Sequence, residues 1–67
     1  MDFKTIILER RDNIAVLFLN RPDKLNAFTF SMMEEIVAAL DIIESDDTFH
    51  AVIFSGKGRA FCAGADL

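Results

Sequence analysis

Ile14-Ala15-Val16-Leu17-Phe18-Leu19, followed at once by Asn20-Arg21-Pro22, is the stretch from which the fold can be read. An apolar run without alternation suits a β-strand covered on both faces. It is far too short to cross a bilayer as a helix. Pro22 has no N–H for a sheet ladder and restricts the residue before it, so it ends the strand. Upstream, residues 3–11 read as a first strand, with Thr5, Ile6, Ile7 and Leu8 supplying β-formers. The Asp12-Asn13 link is too short for a crossover, so the first two strands form an antiparallel hairpin. Downstream, a loop over residues 20–29 leads to Ser31 and Glu34, which have the spacing of a capping box. Met32, Met33, Ile36, Val37, Leu40 and Ile43 then recur at three and four, giving an amphipathic helix of about four turns. Ser45-Asp46-Asp47-Thr48 breaks it, and residues 49–55 form a third strand.

Strand, helix, strand over this distance is a βαβ unit, so the second and third strands should be parallel, with a right-handed crossover. The class is therefore α/β: a β-hairpin followed by a βαβ crossover. Adjacent parallel strands put their C-terminal ends on one edge, where ligands of open α/β sheets bind. The loops that leave those ends carry Asn26-Ala27 and Ala63-Gly64-Ala65, which the topology brings into one neighbourhood.

The second of these loops, Gly58-Arg59-Ala60-Phe61-Cys62-Ala63-Gly64-Ala65-Asp66-Leu67, consists mostly of small residues that leave the backbone uncovered. A ligand carbonyl can approach such N–H groups closely. If a helix begins at Asp66, they also lie at the positive end of its dipole. That describes half of an oxyanion hole; the other reading is a packing turn between strand and helix.

Taken together and in order, N-R-P-x-x-x-N-A-F at residues 20–28 and G-x-A-F-C-A-G-A-D-L at residues 58–67 resemble the crotonase family, the enoyl-CoA hydratase and isomerase superfamily. The resemblance implies that residues 1–67 are a single partial domain, the opening β-β-α-β unit of a crotonase-like spiral fold. It implies an acyl-CoA thioester as substrate, most simply a 2-enoyl-CoA undergoing hydration. Coenzyme A then enters as part of the substrate, with no separate cofactor and no metal. By the same resemblance the Ala65 N–H, in a loop shaped by Gly64, is the first oxyanion donor. The second donor, a glycine, and the acid/base glutamates are expected beyond residue 67, so the chain alone is expected to be inactive. Asn26, Ala27 and Ala63 map to the coenzyme A side of the site, with backbone groups near Ala27 and Ala63 meeting the adenine. Arg21 and Lys24 are either partners of coenzyme A phosphates or solvated loop charges. Asp66 is a ligand contact or, preferably, an N-cap. A complete protein of this kind is expected to be a trimer or a pair of trimers. The reading competes with another reaction of the same family (isomerase or acyl-CoA hydrolase), with a non-catalytic truncated or split module that pairs with another chain, and with an unrelated nucleotide-binding βαβ unit.

Composition narrows the classes. The 67 residues amount to at most one small domain, and 52% are hydrophobic, more than so short a chain can bury by itself. A net charge of −4 argues against binding nucleic acid through its phosphates. The single cysteine excludes an internal disulfide and, with His50 alone and distant, makes no ligand set; a free thiol fits a reducing compartment. The N-terminus lacks the layout of a signal peptide, which makes the expected location cytoplasmic. Glu34 and Glu35 are adjacent on a helix and do not face each other, so capping and solvation explain them better than acid/base work. Cys62 has no neighbouring base and reads as a small core residue. Met32 and Met33 read as core or, at a mobile helix edge, as lining of an acyl pocket; His50 reads as exposed and idle, and Gly56-Lys57-Gly58 as a turn that fits no phosphate-loop pattern.

Overall fold

In the computed structural model, which describes residues 3–64, three strands form one sheet in the order β1 (Ile6–Arg11), β2 (Ile14–Leu19), β3 (Ala51–Gly56). β1 and β2 are antiparallel, with Ile6 opposite Leu19 and Arg11 opposite Ile14; β2 and β3 are parallel, with Ile14 beside Ala51 and Leu19 beside Gly56. The crossover is a short 3-10 helix, Pro22–Lys24, and then α1 (Phe30–Glu44). β2 is central and, as its unalternating run requires, buried at Ala15, Val16, Leu17 and Leu19. Leu17 and Leu19 join Ile6 of β1 and Met32, Ile36 and Ala39 of α1 in the core, and Phe3, Leu8, Phe28 and Cys62 pack around it.

The ends of the elements depart from the sequence reading for identifiable reasons. β1 begins at Ile6 and not at residue 3, because the Lys4 and Thr5 N–H groups turn to the helix. They donate to the Glu35 carboxylate at 2.8 and 2.7 Å, and the Thr5 hydroxyl adds a third partner at 2.5 Å. Glu35 is thus neither idle nor a cap of its own helix; it fastens the entry of β1 to α1. The residue that caps α1 is Thr29, in extended backbone, with Oγ1 accepting from the Met32 N–H at 3.2 Å. Ser31 lies inside the first turn, so the Ser31/Glu34 box does not form. β2 ends at Leu19, before Pro22, which opens the 3-10 helix, a position where its missing N–H costs nothing. β3 starts at Ala51, because Phe49 N–H closes a turn onto Asp46 O and only His50 N–H reaches across to Asn13 O, at 2.8 Å. His50 also holds its ring Nδ1 2.9 Å from Asn13 Nδ2, so it is exposed but not idle.

Arg10 gathers the far edge of the sheet: its guanidinium donates to Asp46 and Thr48 at 2.8 and 2.7 Å and lies 3.9 Å over the Phe49 ring. This ties the hairpin to the turn between α1 and β3. Met33 is the other correction. It is half exposed and forms, with Phe30, Val37 and Leu40, a second apolar stripe on the outer side of α1. Val52, Ile53 and Phe54 of β3 are likewise open. The surplus of apolar residues in the composition is therefore visible as uncovered surface on one helix face and one edge strand.

The Glu35 anchor gives a pH dependence. Burial pushes this carboxyl up, but the Thr5 hydroxyl and the Lys4 and Thr5 N–H groups outweigh it, and the net pKa lies below the ordinary value. A depressed carboxylate contributes stability that is complete above its unfolded-state pKa and is lost as pH falls through the folded one. Glu35→Gln is therefore expected to lower stability at neutral pH and to flatten the loss of stability below about pH 4.3, the unperturbed glutamate value. Urea midpoints of both proteins across the acid range check this; parallel curves would refute it.

Candidate functional site

The register of β2 and β3 decides where the two motif loops meet. Leu19 and Gly56 are neighbours, and Lys57 N–H donates to Leu19 O at 2.9 Å, so residues 20–29 and 57–64 leave the sheet side by side. From there the loops stay joined. Ala63 N–H donates to Leu25 O at 2.9 Å, and Phe28 N–H to Gly64 O at 2.8 Å. The neighbourhood expected for Asn26, Ala27, Ala63 and Gly64 is therefore built by direct backbone bonds between them and their immediate neighbours.

Asn26 is the polar centre of the junction. It is completely buried, and both its amide oxygen and its amide nitrogen are hydrogen-bonded. Oδ1 accepts from Arg21 N–H at 2.7 Å, closing its own loop; Nδ2 donates to Lys57 O at 2.9 Å and to Ala60 O at 2.7 Å, in the other loop. Leu25 and Asn26 are consecutive left-handed residues, with φ of 52° and 57°. Asparagine tolerates that conformation; leucine there stores about 1 kcal/mol or more of strain, which the surrounding bonds must hold.

Ala27 N–H donates to Lys24 O, Ala63 N–H is taken by Leu25 O, and the Arg21 guanidinium donates to Ala27 O. The backbone N–H groups of both alanines are thus spent within the protein. Each carbonyl carries two lone pairs, so Ala27 O retains capacity for a second donor. Lys24 is exposed on the 3-10 helix. Gly64 has φ of +116°, open to glycine and costly for other residues, with open space where a Cβ would be. Cys62 is half buried, its Sγ 3.8 Å from Gly64 O, in accord with a packing role. Ala65 and Asp66, read as the oxyanion donor and as a cap or contact, lie outside the described residues.

Two cations escaped the sequence reading. Lys57 and Arg59 join Arg21 and Lys24 in these loops against the single acid Asp23, so four of the seven basic residues of a net acidic chain sit on one edge. The signal was present in the sequence as the pairing of the two loops, but the residues are too far apart along the chain to read as a cluster. Lys57 lies 4.0 Å over the Phe18 ring, which fixes its stem.

The comparisons with known proteins agree with one another. Residues 9–67 match the family described as Enoyl-CoA hydratase/isomerase. All 67 residues align at 40% identity with a trans-2-decenoyl-[acyl-carrier-protein] isomerase of Streptococcus mutans, covering 26% of that protein. A probable 3-hydroxyisobutyryl-CoA hydrolase of Arabidopsis thaliana is 39% identical over 92% of this chain and 16% of its own length. Among solved structures, an enoyl-CoA hydratase/isomerase from Mycobacterium paratuberculosis superposes with a TM-score of 0.95 at 44% identity, over 98% of this chain and 26% of that one. The chain spans about a quarter, or less, of the length of these relatives.

Proposed function

Because the chain belongs to the enoyl-CoA hydratase/isomerase family, we propose that it is the acyl-CoA-binding portion of an enzyme that polarises a thioester carbonyl and hydrates a 2-enoyl-CoA. The observation that carries this reading is the junction itself: two loops from adjacent parallel strands, fastened along their length, that present backbone and cations on one edge. The Ala65 N–H, supported by Gly64, acts as one oxyanion donor, and a donor beyond residue 67 completes the pair. A single such donor is worth about 2.7 to 4 kcal/mol to the transition state. The adenine lies against Ala27 and Ala63. Since their N–H groups are spent internally, they offer carbonyls, which suit the exocyclic amino group of adenine, a donor. Arg21, Lys24, Lys57 and Arg59 surround the path of the phosphates, Arg as a fork and Lys as a point charge. Asn26 serves this site from beneath and does not touch the ligand. Asp66 keeps its reading as an N-cap in preference to a ligand contact.

Coenzyme A arrives as part of the substrate, so the reading requires no separate cofactor. The whole protein is read as a cytoplasmic trimer or pair of trimers, whose remaining segments cover α1 and β3. The relatives include an isomerase and a hydrolase by name, and all three reactions begin with a polarised thioester; hydration is the simplest of them. The test is hydration of crotonyl-CoA by the intact protein, followed by loss of the conjugated thioester absorbance, in parallel with crotonyl-pantetheine. Hydration of both, with a KM for the truncated substrate higher by about tenfold or more, is expected if the adenine and phosphates bind these loops. Equal KM values would remove the coenzyme A assignment of the loops, and no turnover of either would remove hydration.

A further inference from the structure

We infer that Asn26 is a positioning residue: its buried amide sets the placement of residues 57–64 against residues 20–29, and through that placement the thioester is polarised. The inference rests on the acyl-thioester reading above and adds to it a residue that reaches no substrate atom.

The geometry is specific to an asparagine. One acceptor and two donors are needed, and each has a single partner: Arg21 N–H for Oδ1, and Lys57 O and Ala60 O for the two hydrogens of Nδ2. The site is closed to water, so a lost bond is not replaced by solvent. The amide also sits against the end of β3, 2.8 Å from where a Cβ of Gly56 would lie, and a longer side chain has no room there. Further out, Ala63 N–H to Leu25 O and Phe28 N–H to Gly64 O continue the same seam. Asn26 holds the inner half of the second loop and these two bonds hold its outer half, up to the residue before the proposed oxyanion donor. Without the amide, the loop is tethered only at its ends.

Two substitutions separate the parts. Asn26→Asp keeps the shape and the acceptor for Arg21 N–H but replaces both donors by a carboxylate oxygen facing two carbonyls. Asn26→Gly keeps the freedom for φ of 57° and deletes the side chain. In the intact protein, at temperatures below the unfolding transition of each variant, kcat for a 2-enoyl-CoA is expected to fall about 10- to 100-fold, further than any rise in KM that the shifted coenzyme A loops cause, which marks an interaction expressed in the transition state. The absorbance of a bound conjugated dienoyl-CoA, shifted to the red by carbonyl polarisation in the parent protein, should move back toward its free value. Faster amide hydrogen exchange in residues 57–64 should accompany both changes. Variants that fold, exchange and turn over like the parent would overturn the inference while leaving the acyl-thioester reading intact. Failure of both variants to fold would also overturn it, since Asn26 would then belong to the fold and not to the site. If the parent neither hydrates nor shifts the dienoyl-CoA, the acyl-thioester reading fails by itself, and unaltered exchange in residues 57–64 of the variants would independently sink the positioning role.

Discussion

Gly56→Ala is expected to destabilise the protein by about 1 to 3 kcal/mol, or more, as overpacking of a closed site does. A Cβ at this position would lie 2.7 Å from Ala60 O, 2.8 Å from Asn26 Nδ2 and 2.9 Å from Phe61 Cα. Two of the three are backbone atoms of the loop, and the third belongs to a buried side chain held by three hydrogen bonds. Relief therefore requires moving residues 57–61, and that movement breaks the bonds from Asn26 to Lys57 O and Ala60 O. The packing error becomes a loss of buried hydrogen bonds. Gly56 lies in β3, where glycine ordinarily weakens a strand, so its presence is explained by close approach of another chain segment. The check is chemical denaturation of the intact protein and its variant. A lower midpoint with the same slope on denaturant is expected. An unchanged midpoint would mean that Ala60 and Asn26 do not lie over Gly56.

That approach was not legible in the sequence, whereas the frame around it was. Length and periodicity identify β1, β2, α1 and β3, because Ile14–Leu19 and the spacing from Met32 to Ile43 report burial directly. The parallel pairing and the shared edge follow from the crossover alone. What periodicity cannot report is which of several polar residues satisfies a given backbone group. Ser31 and Glu34 have the spacing of a cap, yet Thr29 holds the position, since a cap depends on where the chain bends and not on spacing alone. Glu35 accepts from Lys4 and Thr5, partners about thirty residues away that no local pattern connects. Met33 shares the apolar spacing of Met32 but lies a further 100° round the helix, beyond the face that one three-stranded sheet covers. In the candidate site the topology brings the two loops together, but that Asn26 is buried and bonded to Arg21, Lys57 and Ala60 depends on partners up to 34 residues away that no local pattern connects.

Residues 1–67 taken alone are expected to show no hydration of crotonyl-CoA above the uncatalysed rate. Addition of water across a conjugated thioester needs a polarised carbonyl and groups that deliver and remove protons in register with it. In the loops over residues 20–29 and 57–64 the only carboxylate is Asp23, exposed on the 3-10 helix. Glu34 is exposed on α1, and Glu35 is held by Lys4 and Thr5 with its pKa depressed, which makes it a poorer base as well as a distant one. On the proposed reading the chain would also supply one oxyanion donor without its partner, and removing a donor typically costs about 10²- to 10³-fold in kcat. The open surface adds to this: Phe30 is 89% exposed and Ile53 50%, so the helix and edge strand that flank the seam carry uncovered apolar faces. The decisive assay compares the isolated 67-residue chain with the intact protein at equal molar concentration. Turnover by the isolated chain, abolished by Asn26→Asp, would place a complete acid/base apparatus within these residues and would require a different assignment of the proton-transfer groups from the one made here.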